Sequence, residues 1–167
     1  MSFCRVPAQS SVSVTANELT NLNGCWTGTI SHSGTMIRKP FSTTSSLTIA
    51  SGSDNRQFTF LHIYSTQAGD QSADTVMISN DGRTINGAAV TAKKATTNGV
   101  VEIITEEKGM DEDYNQPVLV RKIYITGKNL FGFKKQIRQE GQTDWIDREE
   151  YNYTRSACSK KAVKKTR

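Results

Sequence analysis

From Gly24 to Arg155 the chain is a succession of short runs that alternate apolar and polar residues, cut by turn dipeptides, and no helical apolar period persists across it. Strand-like segments fall at 25–31, 45–50, 57–65, 74–79, 84–93, 99–106, 117–126, 129–138 and 144–154. The breaks are Ser51-Gly52-Ser53-Asp54-Asn55, Asn80-Asp81-Gly82, Thr97-Asn98-Gly99, Gly127-Lys128-Asn129 and Gly141-Gln142. Asp-Gly and Asn-Gly adopt the positive φ that tight hairpins require, which bulky residues resist. Hairpins joined in sequence make a meander, and a meander has two bare edges unless it closes. Closure at about eight to ten strands leaves room inside for one small ligand. The expected fold is all-β: a single closed antiparallel up-and-down β-barrel of about 8–10 strands with a short N-terminal helical turn.

The helical turn is marked by Thr15 and Glu18, which have capping-box spacing, with Leu19 and Leu22 on one side. Three segments follow from this reading. Residues 1–18 are a flexible N-terminal segment, in which Val6-Pro7-Ala8 has the small-residue character of a signal-peptide remnant. Residues 19–155 are the barrel, and 156–167 are a basic disordered tail.

Charge supports that division. Of the formal +5, Lys160, Lys161, Lys164, Lys165 and Arg167 supply five, and without them the chain carries sixteen basic and sixteen acidic residues. A neutral body with a basic end is a solvated terminus or a tether to an anionic surface, not a nucleic-acid face. No apolar run approaches the roughly 20 residues of a membrane-spanning helix.

Alternation assigns faces. Phe58, Phe60, His62 and Tyr64 share one side of their strand; Phe131, Phe133 and Ile137 oppose Lys134, Gln136 and Arg138. With Tyr124 these aromatics are the expected apolar wall of a pocket, and His62 and Arg121 its expected polar groups. Gly87, Ala88, Ala89 and Ala92 leave segment 84–93 thin enough for neighbours to approach. Two polar insertions, 31–45 and 107–116, are expected at the rim, as a lid or as contacts for a protein partner.

Cys4, Cys25 and Cys158 lack metal-site spacing. In a closed meander the first strand lies against the last, so Cys25 and Cys158 meet at the seam. A bridge there implies an oxidising compartment, secreted or periplasmic; three reduced thiols imply the cytoplasm. Both alternatives stand at this point. Asp111, Glu112 and Asp113 lack the ligand alternation of a calcium loop, so no metal and no cofactor are expected.

Gly24-Cys25-Trp26, after a short helical turn and opening the first strand, resembles the Gly-x-Trp motif of the lipocalin and wider calycin group. Thr143-Asp144-Trp145 resembles that group's Thr-Asp-Tyr motif but falls later than the group places it. As an architecture the resemblance covers roughly 19–155, in the manner of small secreted bacterial lipocalin-like domains. It implies that Trp26 packs at the closed end of the barrel beneath a basic residue near the C-terminus, Arg148 or Arg155, with Gly28 easing the coil of the first strand. It also implies non-enzymatic binding or transport of a small apolar ligand. Avidin-type barrels enclose their ligand with several tryptophans, whereas this chain has only Trp26 and Trp145.

Catalytic motifs are lacking: no Gly-x-Ser-x-Gly, no phosphate loop, no His-Glu-x-x-His. Asp147 and Glu149 are the enzyme alternative, expected on one strand face and therefore able to share acid–base work.

Overall fold

A computed structural model describes residues 12–34, 39–65, 70–111, 113 and 115–158. Helix α1 (Ala16–Thr20) precedes ten strands: β1 (Gly24–His32), β2 (Phe41–Ser51), β3 (Gln57–Tyr64), β4 (Gln71–Met77), β5 (Thr84–Ile85), β6 (Ala88–Ala95), β7 (Val101–Met110), β8 (Pro117–Thr126), β9 (Leu130–Gln139) and β10 (Ile146–Ser156). Sequential neighbours from β1 to β4 and from β5 to β10 pair antiparallel, and β1 pairs with β10 from Cys25↔Ser156 to His32↔Glu149. A single bridge, Ile78↔Ile85, joins β4 to β5. The result is one nearly closed antiparallel barrel.

The expected strand 84–93 is two strands. Asn86, at φ 51°, and Gly87, at φ 81°, form a tight turn that folds β5 back on β6 with Thr84↔Ala89 and Ile85↔Ala88. This hairpin is short, so β6 pairs with β7 only as far as Glu106. Above Asn86, among the described residues, no strand pairs with the outer edge of β4, and Glu107–Met110 of β7 pair with β8 on one side only. The barrel wall carries a notch there.

The lower end is filled. Leu19, Leu22, Trp26, Phe58, Ile49, Ile85 and Ile103 are at most 1% exposed and pack as one cluster with Val14, Phe60 and Phe131. At roughly 1.5–3 kcal/mol per fully buried large apolar side chain, this cluster is the main store of stability. The N-terminal boundary differs from the expected one. Val14 is 3% exposed and donates its N–H to Gly82, and Glu18 pairs with Lys93 at 3.0 Å, so residues 12–18 pack as part of the base. Gly82, at φ 71°, makes this approach feasible, since a Cβ would overlap the Val14 carbonyl. Residues 1–11 and 159–167, with Cys4, the signal-remnant reading and the tail lysines, lie outside the described residues.

Three features close the seam. Gly28 faces Tyr153 across β1 and β10, where a Cβ would overlap the Asn152 carbonyl. Cys25 and Cys158 are bonded, with Cα atoms 5.1 Å apart. The Arg155 guanidinium lies 4.2 Å over the Trp26 ring and donates to the carbonyls of Asn21, Asn23 and Lys128. Of the two arginines left open by the sequence, Arg155 covers Trp26. The indole N–H donates to the Leu22 carbonyl at 2.8 Å.

Candidate functional site: the barrel lumen

The upper end of the lumen is open. An outer chamber of about 480 Å³ is lined by residues including His32, Phe41, Glu107, Lys122, Lys135, Arg148 and Glu149. Below it, an inner chamber of about 240 Å³ is lined by Phe60, His62, Tyr124, Phe131, Phe133 and Tyr151, and reaches the notch at Asp74, Thr75 and Asn86. Lys122, Lys135 and Glu149 line both chambers. The inner chamber is walled by aromatic edges and faces: Tyr124 meets Phe133 at 5.3 Å, Phe133 meets Tyr151 at 5.0 Å, and Tyr151 meets His62 at 5.4 Å between ring centres.

The upper lumen is ionic. Lys122 bonds Glu107 at 2.7 Å, Lys135 lies 3.8 Å from Glu149, and the Tyr151 hydroxyl donates to Glu149 at 3.0 Å. His32 stacks on Phe41 at 4.5 Å and faces Glu149 at 4.0 Å. At the rim Arg148 reaches Asp111 at 3.2 Å and Asp113 at 3.3 Å. Burial first, and the adjacent carboxylates second, hold the Tyr124 and Tyr151 hydroxyls far above the usual phenol range, so both stay protonated. Thr105 is 1% exposed on the lumen-facing parity of β7, opposite Lys122, and its hydroxyl has no partner among the described residues.

Beneath the ions, His62 is 2% exposed and anchors a directional relay. The Ser45 hydroxyl donates to the Ser46 carbonyl at 3.2 Å, so it accepts from Tyr153 at 3.1 Å. The Tyr153 proton is then committed, and its oxygen accepts from His62 Nδ1 at 3.1 Å. The neutral imidazole therefore carries its proton on Nδ1 and presents a bare Nε2, 3.9 Å from Asp74 Oδ2. Burial lowers the His62 pKa, with Asp74 opposing in part, and burial pushes Tyr153 up to about 12.

Among the residues expected to bind ligand, Phe60, His62, Tyr124, Phe131 and Phe133 line the inner chamber. Phe58 lies deeper, wholly enclosed in the basal core, and Tyr64 bonds Ser72 at 2.8 Å without lining either chamber. Arg121 is corrected. It stands three positions from Tyr124, an odd separation that puts the two on opposite faces of β8. Arg121 bonds Glu106 at 2.6 Å on the outside and stacks 3.8 Å over Trp145, with Arg138 at 4.7 Å on the same ring. The carboxylate pair is corrected too. A bulge between Asp147 and Glu149 sends Asp147 outward to Gln136 at 2.7 Å while Glu149 faces the lumen, so they do not share a face.

Lys122, Lys135, Glu107, Asp74 and Tyr151 line the lumen, and Tyr153 bonds His62 from the core behind it; none of the six was singled out from sequence. Parity carried a signal for two of them: Lys122 is two residues from Tyr124, and Lys135 two from Phe133. The insertions contract to 33–40 and 111–116, because β2 begins at Phe41 and β7 runs to Met110. Residues 35–38, Glu112 and Tyr114 lie outside the described residues.

The fold and its lumen define a small antiparallel barrel with two adjoining chambers beneath an open, polar mouth. Among solved structures, the crystal structure of Rv2717c from M. tuberculosis is similar: 15% identical, with 87% of this chain and 99% of that chain covered and a TM-score of 0.56. A protein of unknown function from the DUF3598 family of Nostoc punctiforme is matched at 12% identity and TM-score 0.43, over 86% of this chain and 50% of that one. The first likeness shows the fold alone. No family model matches the chain, and no curated protein matches it significantly. No helix among the described residues is long and apolar enough to cross a membrane.

Proposed function

We propose that this protein is a lipocalin-like, non-enzymatic carrier that holds a small molecule in its barrel, with the ligand's apolar part in the inner chamber and its polar end at the ionic mouth. The observation that carries this reading is the pair of adjoining chambers, with Lys122, Lys135 and Glu149 lining both, which leaves the upper lumen unfilled. An unfilled lumen favours internal binding over a protein partner held by the rim loops. Arg155 stacked across a basal Trp26 supports the lipocalin-like reading, and the Cys25–Cys158 bond supports an oxidising, secreted or periplasmic setting.

The sequence pointed to a small apolar ligand. The two ion pairs inside the mouth argue for an amphipathic one, since a purely apolar molecule would leave them no better solvated than they are. The test is uptake of the neutral fluorophore Nile red by the purified protein, followed by displacement with small amphiphiles. Blue-shifted emission at one probe per chain, lost on displacement, is expected. A folded protein that takes up no probe at micromolar concentration sinks the reading.

A further inference from the structure

The inner chamber contains a pair of hydrogen-bond acceptors that no donor among the described residues bridges. The relay through Tyr153 and Ser45 commits the His62 proton to Nδ1, so Nε2 faces the chamber as an acceptor. Asp74 Oδ2 stands 3.9 Å away, beyond hydrogen-bond reach, and a carboxylate is also an acceptor. Two acceptors at this separation cannot bond each other. A single donor placed between them bonds both.

Charge selects the kind of donor. Within the lumen Lys122 is matched by Glu107 and Lys135 by Glu149. Asp74, among the described residues, has only the neutral His62 within ion-pair distance, so the inner chamber has one carboxylate without a cation. Its walls are the rings of Phe60, Tyr124, Phe133 and Tyr151, whose faces attract cations and whose area suits an aryl group. At about 240 Å³ the chamber is smaller than sites for drug-sized ligands. The notch above Asn86 puts Asp74 where an entering cation meets it: its side chain is 66% exposed although it lines the chamber.

Resting on the lumen-binding reading above, we infer that the ligand is a small aryl-alkyl amine whose ammonium group sits between His62 Nε2 and Asp74, with its ring against Phe133, Tyr151 and Tyr124. The ammonium has three protons; two satisfy these acceptors and one remains for water at the notch.

Calorimetry with three probes of one shape separates the outcomes: phenethylamine, 2-phenylethanol and 3-phenylpropionate. Phenethylamine is expected to bind about tenfold or more tightly than either of the others, and Asp74→Asn, at a side chain 66% exposed, is expected to erase that preference. Equal binding of the three, or a preference that survives D74N, overturns the amine inference. Nile red on the wild-type protein distinguishes the two levels: uptake without amine preference sinks this inference and leaves the carrier reading standing, whereas no uptake and no probe binding sinks both.

Discussion

The two ends of the barrel share most of their strands, β5 and β6 stopping short of the upper one, and differ in what their inward positions hold. Below, Trp26, Phe58, Leu47, Ile49 and Ile103 interdigitate with Leu19 and Leu22 of the N-terminal segment and exclude water. Above, the inward positions of β1, β7, β8, β9 and β10 include His32, Glu107, Lys122, Lys135 and Glu149, around open space. Apolar burial stabilises; half-exposed ion pairs hardly do. Stability is therefore concentrated at one end and chemistry at the other, and substitutions at each end should separate the two properties.

The largest effect is expected at the base. Trp26→Ala removes a fully buried indole, its hydrogen bond to Leu22 and the platform for Arg155, and should cost about 3–5 kcal/mol in urea denaturation. A cost under about 1 kcal/mol would mean the base is loosely packed and the contrast between the ends is false. Replacing both Cys25 and Cys158 by serine opens a link spanning 133 residues of sequence and should cost about 2–4 kcal/mol, read as a lower urea midpoint. Arg155→Ala should follow at about 1–2 kcal/mol, since it removes a ring contact and leaves the carbonyls of Asn21, Asn23 and Lys128 to water.

The base was legible in sequence because its signals are local. Gly24-Cys25-Trp26 opens a strand after a capped turn, and two cysteines fall where a closing meander brings its ends together. The inward set Phe58, Phe60 and His62 follows from period-two alternation alone. The mouth was less legible for two physical reasons. Its inward residues are charged, and a lone lysine between aromatics reads as solvent-facing unless parity is counted from Phe133 or Tyr124. The bulge at Arg148 also resets the alternation without altering the pattern of residue types, so Asp147 and Glu149 look paired in sequence and are not. The Asn86-Gly87 turn, by contrast, was written plainly as a hairpin dipeptide inside a segment read as one strand.

Between the two ends lies His62, and its effect should be smaller and dependent on pH. Burial holds its pKa below the ordinary value, with Asp74 opposing and Tyr153, Tyr151 and Glu149 nearby. The unfolded chain therefore binds this proton first, and stability should fall as pH drops below about 6.5, levelling off once the folded-state value is passed. At the alkaline end the Tyr153 pKa is raised to about 12. Its contribution should be complete below about pH 10, the unfolded value, and disappear as pH rises through the folded one. Urea midpoints across the pH range should show both limbs, and His62→Phe should flatten the acid limb alone. An unchanged acid slope in H62F would assign that limb to other groups.

The smallest stability effect, and the sharpest test of the division, is expected from the double substitution Lys122→Met and Glu107→Met. The pair is bonded at 2.7 Å with side chains 24% and 36% exposed, so water screens it and its loss should change stability by less than about 1 kcal/mol. Exchanging an ion pair for apolar groups of similar length is often neutral. The lumen, however, changes character at the junction of its two chambers, because Lys122 lines both. Nile red should bind the double variant more tightly than the wild type, while a polar displacing ligand should lose affinity. A large drop in the urea midpoint would instead show that the ionic mouth is part of what holds the barrel together, and the two ends would then differ in composition but not in task.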